Sequence, residues 1–212
     1  MRVLIAEDDP VIALGLAARI RALGHEPVGP ARDGSDAVAL ARTHNPDLYL
    51  FDVDMPVLDG LSAARTLARE GLRRPVVVIT GVPDPDIVDR CVADGVGAYL
   101  SKPIDDRQLD ASIRLAASRH AELQALEAEV TNTRQALEDR KLVEQAKALL
   151  IQTLDLSEPE AFKRLQHAAR NRNQSLANVA RDLLDHRDVL RGPPEARRAG
   201  HKESRRELDK SG

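Results

Sequence analysis

Short apolar runs that each end in a polar or charged head constrain this chain more than any other feature. Leu48-Tyr49-Leu50-Phe51 runs into Asp52-Val53-Asp54-Met55-Pro56, with Asn45-Pro46 just before it. An apolar, aromatic stretch between turn signals predicts a buried strand, and it puts Asp52 at the strand's carboxyl end. Arg2-Val3-Leu4-Ile5-Ala6 leads into Glu7-Asp8-Asp9 in the same way, Pro75-Val76-Val77-Val78-Ile79 into Thr80-Gly81, and Ala98-Tyr99-Leu100 into Ser101-Lys102-Pro103. Helix-patterned segments alternate with these runs: Pro10 to Leu23 closed by Gly24, Gly34 to Thr43, Leu58 to Glu70 closed by Gly71, and Asp84 to Asp94 closed by Gly95. Val28-Gly29-Pro30 supplies one more short strand. The alternation predicts an α/β fold with a doubly wound, five-stranded parallel sheet in the order 2-1-3-4-5 and helices on both faces. In such sheets chemistry sits beyond the carboxyl ends of the strands at the switch point, so the acids of the first and third strands share one rim.

Carboxylates crowded together repel and raise one another's pKa unless a divalent cation or a lysine offsets them. The rim holds an acid pair, a lone aspartate, a hydroxyl and a lysine. That set suits transient storage of a phosphoryl group, with a carboxylate nucleophile, oxygen ligands for Mg²⁺, a hydroxyl donor and a balancing ammonium. Taken alone, Asp52 fits a turn-former or a helix cap as well as a nucleophile. The four motifs together favour the chemistry. Asp9, followed by Pro10, reads as the cap of the first helix.

Over residues 1–118 these motifs resemble the flavodoxin-like receiver domain of bacterial two-component response regulators. The resemblance implies that Asp52 accepts a phosphoryl group from a sensor histidine kinase or a phosphotransfer protein. It implies Mg²⁺ held by Asp8, Asp52 and the backbone carbonyl of Asp54, with Glu7 acting through a bound water. Thr80 and Lys102 would grip the phosphoryl oxygens, Tyr99 would change rotamer on activation, and Lys102-Pro103 would be a cis peptide, which X-Pro bonds adopt at low cost. Asp54 is a carboxylate at a position where the family accepts many residue types. Asp52-Val53-Asp54 with a later Thr and Lys also invites comparison with haloacid-dehalogenase-like phosphatases. Those enzymes place their last acidic pair after the lysine, whereas Glu7-Asp8 precedes the nucleophile and only Asp105-Asp106 follows Lys102.

A chain of 212 residues with 42% hydrophobic content is long enough for one full domain and a smaller module. The first apolar run is only a few residues long before Glu7-Asp8-Asp9, so no signal peptide or transmembrane helix is expected. Cys91 is the sole cysteine and cannot form an internal disulfide. It reads as a packing residue in a reducing, cytoplasmic setting.

From Asp105 the composition changes: no glycine follows until Gly192, and Ala, Leu, Glu, Gln and Arg dominate. Leu109, Ile113, Ala116, His120, Leu123, Leu126, Val130, Thr133 and Leu137 recur every three or four positions, the seam of a weak coiled coil. The step from Leu123 to Leu126 interrupts the heptad. Residues 119–137 are expected to form a helical linker that pairs two copies as a homodimer; a single amphipathic helix folded back on its own chain is the competing reading. Beyond it, Leu142, Val143, Ala146, Leu149, Leu150 and Leu154 give one helix an apolar face. Ser157-Glu158-Pro159-Glu160 matches a capping box for a second helix, and Ser175 caps a third.

The pattern of Arg140, Ala146-Lys147, Glu160-Ala161-Phe162, Leu165, Ala168, Leu176 and Val179-Ala180 resembles the ANTAR family of transcription antitermination regulators. The resemblance assigns residues 138–190 to a three-helix RNA-binding module, with Ala148 and Gln166 standing where the family commonly has Gly and Arg. Residues 121–190 carry more acid than base, so contact with RNA would rest on local cations: Arg140, Lys147, Lys163, Arg164, Arg170 and Arg172, with Asn171 and Asn173 as base readers. Phe162 falls in the apolar stripe and is expected in the core. Residues 191–212 hold almost nothing apolar and are expected to be disordered. The combined expectation is a phosphorylation-dependent regulator, not an enzyme, that binds leader RNA hairpins and controls transcription termination. The alternative keeps the receiver and gives it a DNA-binding or protein–protein output, although Ser175 to Leu184 offers a recognition helix only Arg181.

Overall fold

The computed structural model describes residues 1–81 and 85–186. The chain divides into two compact units, residues 1–128 and the residues from 129 onward. The first holds five parallel strands, β1 (Arg2–Ala6), β2 (Glu26–Ala31), β3 (Leu48–Asp52), β4 (Val76–Thr80) and β5 (Ala98–Ser101), in the order β2-β1-β3-β4-β5. The helices α1 (Pro10–Ala22), α2 (Gly34–His44), α3 (Gly60–Arg69) and α4 (Pro85–Ala93) make the crossovers. A further helix, α5, covers Asp106–Leu154, and α6 (Glu158–Arg172) and α7 (Leu176–Asp185) follow it. This is the doubly wound, flavodoxin-like sheet expected from the alternation of strand and helix signals.

β3 is buried at every position because it is central and covered on both faces, which explains its unbroken apolar run. One face packs Ile5, Leu50 and Ile79 against Leu16 and Ile20 of α1 and Leu109, Ile113 and Ala116 of α5. The other packs Leu4, Tyr49 and Phe51 against α2 and α3 through Val38, Ala63 and Leu67. Tyr49 and Phe51 stack with centroids 5.2 Å apart, and the buried Tyr49 hydroxyl donates to the Leu72 carbonyl at 2.8 Å.

Several local expectations shift. β2 is longer than Val28-Gly29-Pro30, and Gly29–Pro30 is a cis peptide beside a bulge in the β1–β2 pairing. α3 begins at Gly60, two residues later than expected. Asp59 caps it by accepting from Ser62 N at 2.9 Å, and the Leu58 carbonyl is taken by Gly34 N at 2.9 Å. α4 spans Pro85–Ala93; the expected start at Asp84 lies outside the described residues. Leu109, Ile113 and Ala116, assigned to a coiled-coil seam, are core residues of the first unit. The helical linker expected over residues 119–137 and the first helix of the module are one continuous helix, α5.

In the second unit Ala146 and Leu150 of α5 meet Ala161, Leu165 and Ala169 of α6 and Val179 and Ala180 of α7. Glu160 accepts from the Ser157 backbone at 2.9 Å and its hydroxyl at 2.6 Å, fixing the start of α6. Ser175 Oγ accepts from Asn178 N at 3.1 Å at the start of α7. No described helix is long and apolar enough to cross a membrane. Residues 191–212, expected to be disordered, lie outside the described residues.

Burial pushes the Tyr49 phenol up to about 12, against a weaker downward pull from Arg74. An acid whose folded pKa is raised favours the fold below its unfolded value near ~10, and that contribution disappears as pH climbs through the folded value. Tyr49→Phe should therefore flatten the loss of stability between about pH 10 and 12. It should cost about 1–3 kcal/mol at neutral pH, because the Leu72 carbonyl loses its donor. Urea unfolding across that range measures both.

Candidate functional site

The end of β1 delivers Glu7 and Asp8, and the end of β3 delivers Asp52. β1 and β3 are neighbours in register, Ala6 opposite Phe51, so the next residues of the two strands share one rim. Glu7 and Asp52 are buried, at 1% and 2% exposure, while Asp8 stands in solvent. Each of the three offers an oxygen, and these oxygens lie within 4.8 Å of one another. Thr80, buried at the end of β4, is one step beyond the Asp52–Ile79 pairing. Lys102 follows β5, and its backbone N–H donates to the Thr80 carbonyl at 2.8 Å.

The Lys102 ammonium closes the pocket. It donates to Asp52 Oδ2 at 2.8 Å and to Glu7 Oε1 at 3.1 Å. Glu7 Oε2 is also within 2.9 Å of the ammonium, but outside the alignment of a hydrogen bond. Asp52 Oδ1 is buried without a hydrogen-bond partner. Burial pushes the Glu7 carboxyl up, partly countered by its bond to Lys102, and the neighbouring Asp52 charge pushes it further. Burial pulls the Lys102 ammonium down, but its bonds to Asp52 and Glu7 outweigh that and leave its pKa raised. Three carboxylates crowd together and one ammonium contacts two of them, a surplus of negative charge that suits a hard divalent cation with oxygen ligands. The orphaned, buried Asp52 Oδ1 is the feature that makes these residues fit such an ion.

Lys102–Pro103 is cis. Asp54 is exposed two residues beyond the end of β3. Tyr99 is half exposed at 48% and lines a shallow depression with Ser101, Gln108 and Ser112. Cys91 is buried with Val53, Leu61 and Val78, as a packing residue would be.

Gly60 belongs to the site and escaped sequence reasoning. A β-carbon there would lie 2.1 Å from the Asp52 carbonyl oxygen and 3.0 Å from Phe51 Cβ. Only glycine lets the first turn of α3 lie this close to the strand end that carries Asp52. Asp59-Gly60 was visible as a turn signal, but closeness to a residue eight positions earlier was not.

In the second unit Arg140, Lys163, Arg164, Arg170 and Arg172 are exposed. Lys147 is not part of that set. It is buried, bonded to Glu158 at 2.7 Å and to Glu144 at 2.9 Å, and its ammonium lies 5.9 Å from the Phe162 ring centroid. Phe162 in turn is 36% exposed and not in the core. Arg172 sits 3.8 Å from Asp182, Asn171 contacts His167, and Asn173 closes α6 in a left-handed conformation.

Residues 3–114 match the response regulator receiver domain and residues 131–184 match the ANTAR domain. The transcriptional regulatory protein PdtaR of Mycobacterium tuberculosis H37Rv is 45% identical over 184 residues, which is 87% of this chain and 89% of PdtaR. Protein PilH of Pseudomonas aeruginosa is 36% identical over 110 residues, covering 51% of this chain and 90% of PilH. Among solved structures, the receiver domain of the response regulator NarL from Mycobacterium tuberculosis superposes with a TM-score of 0.53 at 28% identity, covering 55% of this chain and 95% of that domain. These matches put Asp52-Val53-Asp54 in a receiver, so the comparison with haloacid-dehalogenase-like phosphatases is set aside.

Gly60→Ala should cost about 1–3 kcal/mol in urea unfolding, because the added methyl can be relieved only by moving α3 or the end of β3. Gly15→Ala is the control: in α1 a β-carbon there meets nothing within 4 Å. It should leave stability unchanged or raise it by about 0.4–1 kcal/mol.

Proposed function

The chain belongs to the response regulators that join a receiver domain to an ANTAR domain, and on that premise we propose that phosphorylation of Asp52 controls an RNA-binding module acting on transcription termination. The observation that carries the first half is the Lys102 ammonium on Asp52 Oδ2, with Asp52 Oδ1 left buried and unbonded. One oxygen of the nucleophile is held by the ammonium, and the other, with no hydrogen-bond partner in the protein, is left for the divalent ion. In this reading residues 1–118 receive the phosphoryl group, 119–137 link and pair two copies, and 138–190 bind RNA, all in the cytoplasm.

The Asp52 carboxylate attacks the phosphorus of a phosphohistidine on a sensor kinase or phosphotransfer protein. A P–O bond forms as the P–N bond breaks, and the electron pair returns to the imidazole, which takes up a proton. Asp8, Asp52 and the Asp54 backbone carbonyl would hold Mg²⁺, with Glu7 contributing through a water. The ion would offset the charge of the carboxylates and the phosphoryl oxygens. Lys102 exchanges part of its contact with Asp52 for a phosphoryl oxygen, and the Thr80 hydroxyl donates to another. Their inward shift opens space for Tyr99, whose ring stands half in solvent, to change rotamer. The dianionic group biases the receiver toward this arrangement, and the output responds as a shift in population.

Leu123, Leu126, Val130 and Leu137 of α5 are each about half exposed. Pairing two copies along this strip would remove that apolar surface from water. RNA contact draws on the exposed Arg140, Lys163, Arg164, Arg170 and Arg172, chiefly against phosphates.

Incubation with Mg²⁺ and a small phosphodonor should label the protein once. Asp52→Asn, or omission of the divalent ion, should abolish the label; labelling that persists in either case refutes the phosphoacceptor role. Leu126→Glu with Val130→Glu should leave the protein monomeric by sedimentation under conditions where the wild type, with or without phosphodonor, is dimeric.

A further inference from the structure

The second unit has a single aromatic residue outside its core. Its apolar cluster is built from Ala161, Leu165 and Ala169 of α6 with residues of α5 and α7, and Phe162 stands beside it with 36% of its surface in water. Gln166 and Arg170 follow at i+4 and i+8 and are exposed, so an aromatic ring, an amide and a guanidinium form one column along α6. The remaining member of the column, Glu158, would oppose an anionic ligand, but its carboxylate is taken by Lys147 at 2.7 Å. Lys147 also holds Glu144, and its ammonium lies over the Phe162 ring. The acids flanking the ring are thereby offset, while Lys163 and Arg164 stand exposed on the same helix.

We propose that Phe162 is a stacking platform for an unpaired base in the loop of an RNA hairpin, with Gln166 meeting the polar edge of that base and Arg170 an adjacent phosphate. This rests on the RNA-binding reading above and specifies which side chains recognise the RNA. A protein partner docking an apolar helix or strand would want a broad apolar face. Here one ring stands among an amide and cations, the combination that binds splayed bases by stacking, edge hydrogen bonds and phosphate contacts. In this scheme Lys147 does not touch RNA. It is a positioning residue that fixes the ring and offsets Glu144 and Glu158.

The test uses the full-length protein, with and without Mg²⁺ and a small phosphodonor, and a pool of stem-loop RNAs with randomised loops; the tightest hairpin selected serves as the probe. Phe162→Leu should weaken its binding about tenfold or more. The slope of log affinity against log salt should stay unchanged, because no phosphate contact is lost. Phe162→Tyr, which keeps the ring, should bind within about twofold of the wild type. The chain contains no tryptophan, so Phe162→Trp introduces a single fluorophore whose emission a stacked base should quench. Arg170→Gln, by contrast, should flatten the salt slope. If Phe162→Leu binds the hairpin as the wild type does, or the tryptophan emission is unmoved by RNA, the platform is refuted while RNA binding stands. If the wild type binds no hairpin in the pool under either condition, the RNA-binding reading fails and the platform fails with it.

Discussion

The receiver pocket depends on one contact: a lysine after the last strand reaches back to two buried carboxylates at the ends of the first and third. Glu7 and Asp52 are withdrawn from water almost completely, and each would be costly to bury alone. Lys102 meets both within 3.1 Å and stabilises their charged forms. Removing one partner of a buried ion pair typically costs roughly 3–5 kcal/mol. The cost here is smaller, because about a quarter of the lysine side chain remains exposed. That residual exposure is also what makes the contact usable. An ammonium locked in a sealed core could not move to a new oxygen, whereas one at the rim could, under the phosphoacceptor reading proposed above, exchange a carboxylate for a phosphoryl group without being desolvated a second time.

The sheet makes this contact possible and the glycine at the start of α3 keeps it tight. Parallel pairing brings the ends of β1 and β3 side by side, β4 places Thr80 one residue further along, and β5 sets Lys102 beyond it. The Asp52 carbonyl lies against Gly60, so the backbone at Asp52 is wedged by a helix start as well as paired with Ile79 of β4. The Asp52 carboxylate is buried and held by Lys102 through one oxygen, while Tyr99 and Asp54 at the margin stay in solvent.

The sheet and its rim were legible in the sequence because both depend on local signals. A short apolar run stopped by a turn residue marks a strand and its end, and parallel topology then brings the ends of the central strands together whatever the loops do. What was not legible depended on neighbours distant in sequence. Leu109, Ile113 and Ala116 keep a helical repeat that continues to Leu137, and nothing local says that its first turns are covered by the sheet. Leu58 reads as the first helical residue until Gly34 takes its carbonyl and Asp59 takes the cap. Phe162 reads as core because it adjoins Ala161 and precedes Leu165. The buried stripe of α6 is centred on Ala161, Leu165 and Ala169, and a residue one position beyond Ala161 turns to the edge of that stripe. Lys147 has a local partner in Glu144 three residues earlier, but Glu158 lies on the next helix and only the fold supplies it.

Each unit thus contains a lysine set against two carboxylates, with different consequences. In the receiver the pair Glu7 and Asp52 is buried and the ammonium only partly so, which leaves the site over-supplied with negative charge and ready for a cation. In the second unit the arrangement is reversed: Lys147 is buried while Glu144 and Glu158 keep much of their surface in water. There the carboxylates hold the ammonium charged and the ammonium offsets them, so the acid on that face is screened locally. A module with more acid than base over its length can therefore present a face on which the acids are offset and Arg170 stands exposed in line with Phe162. Net charge misleads for such a module, because a polyanion responds to the potential within about a Debye length of the surface it touches and not to the sum over the chain.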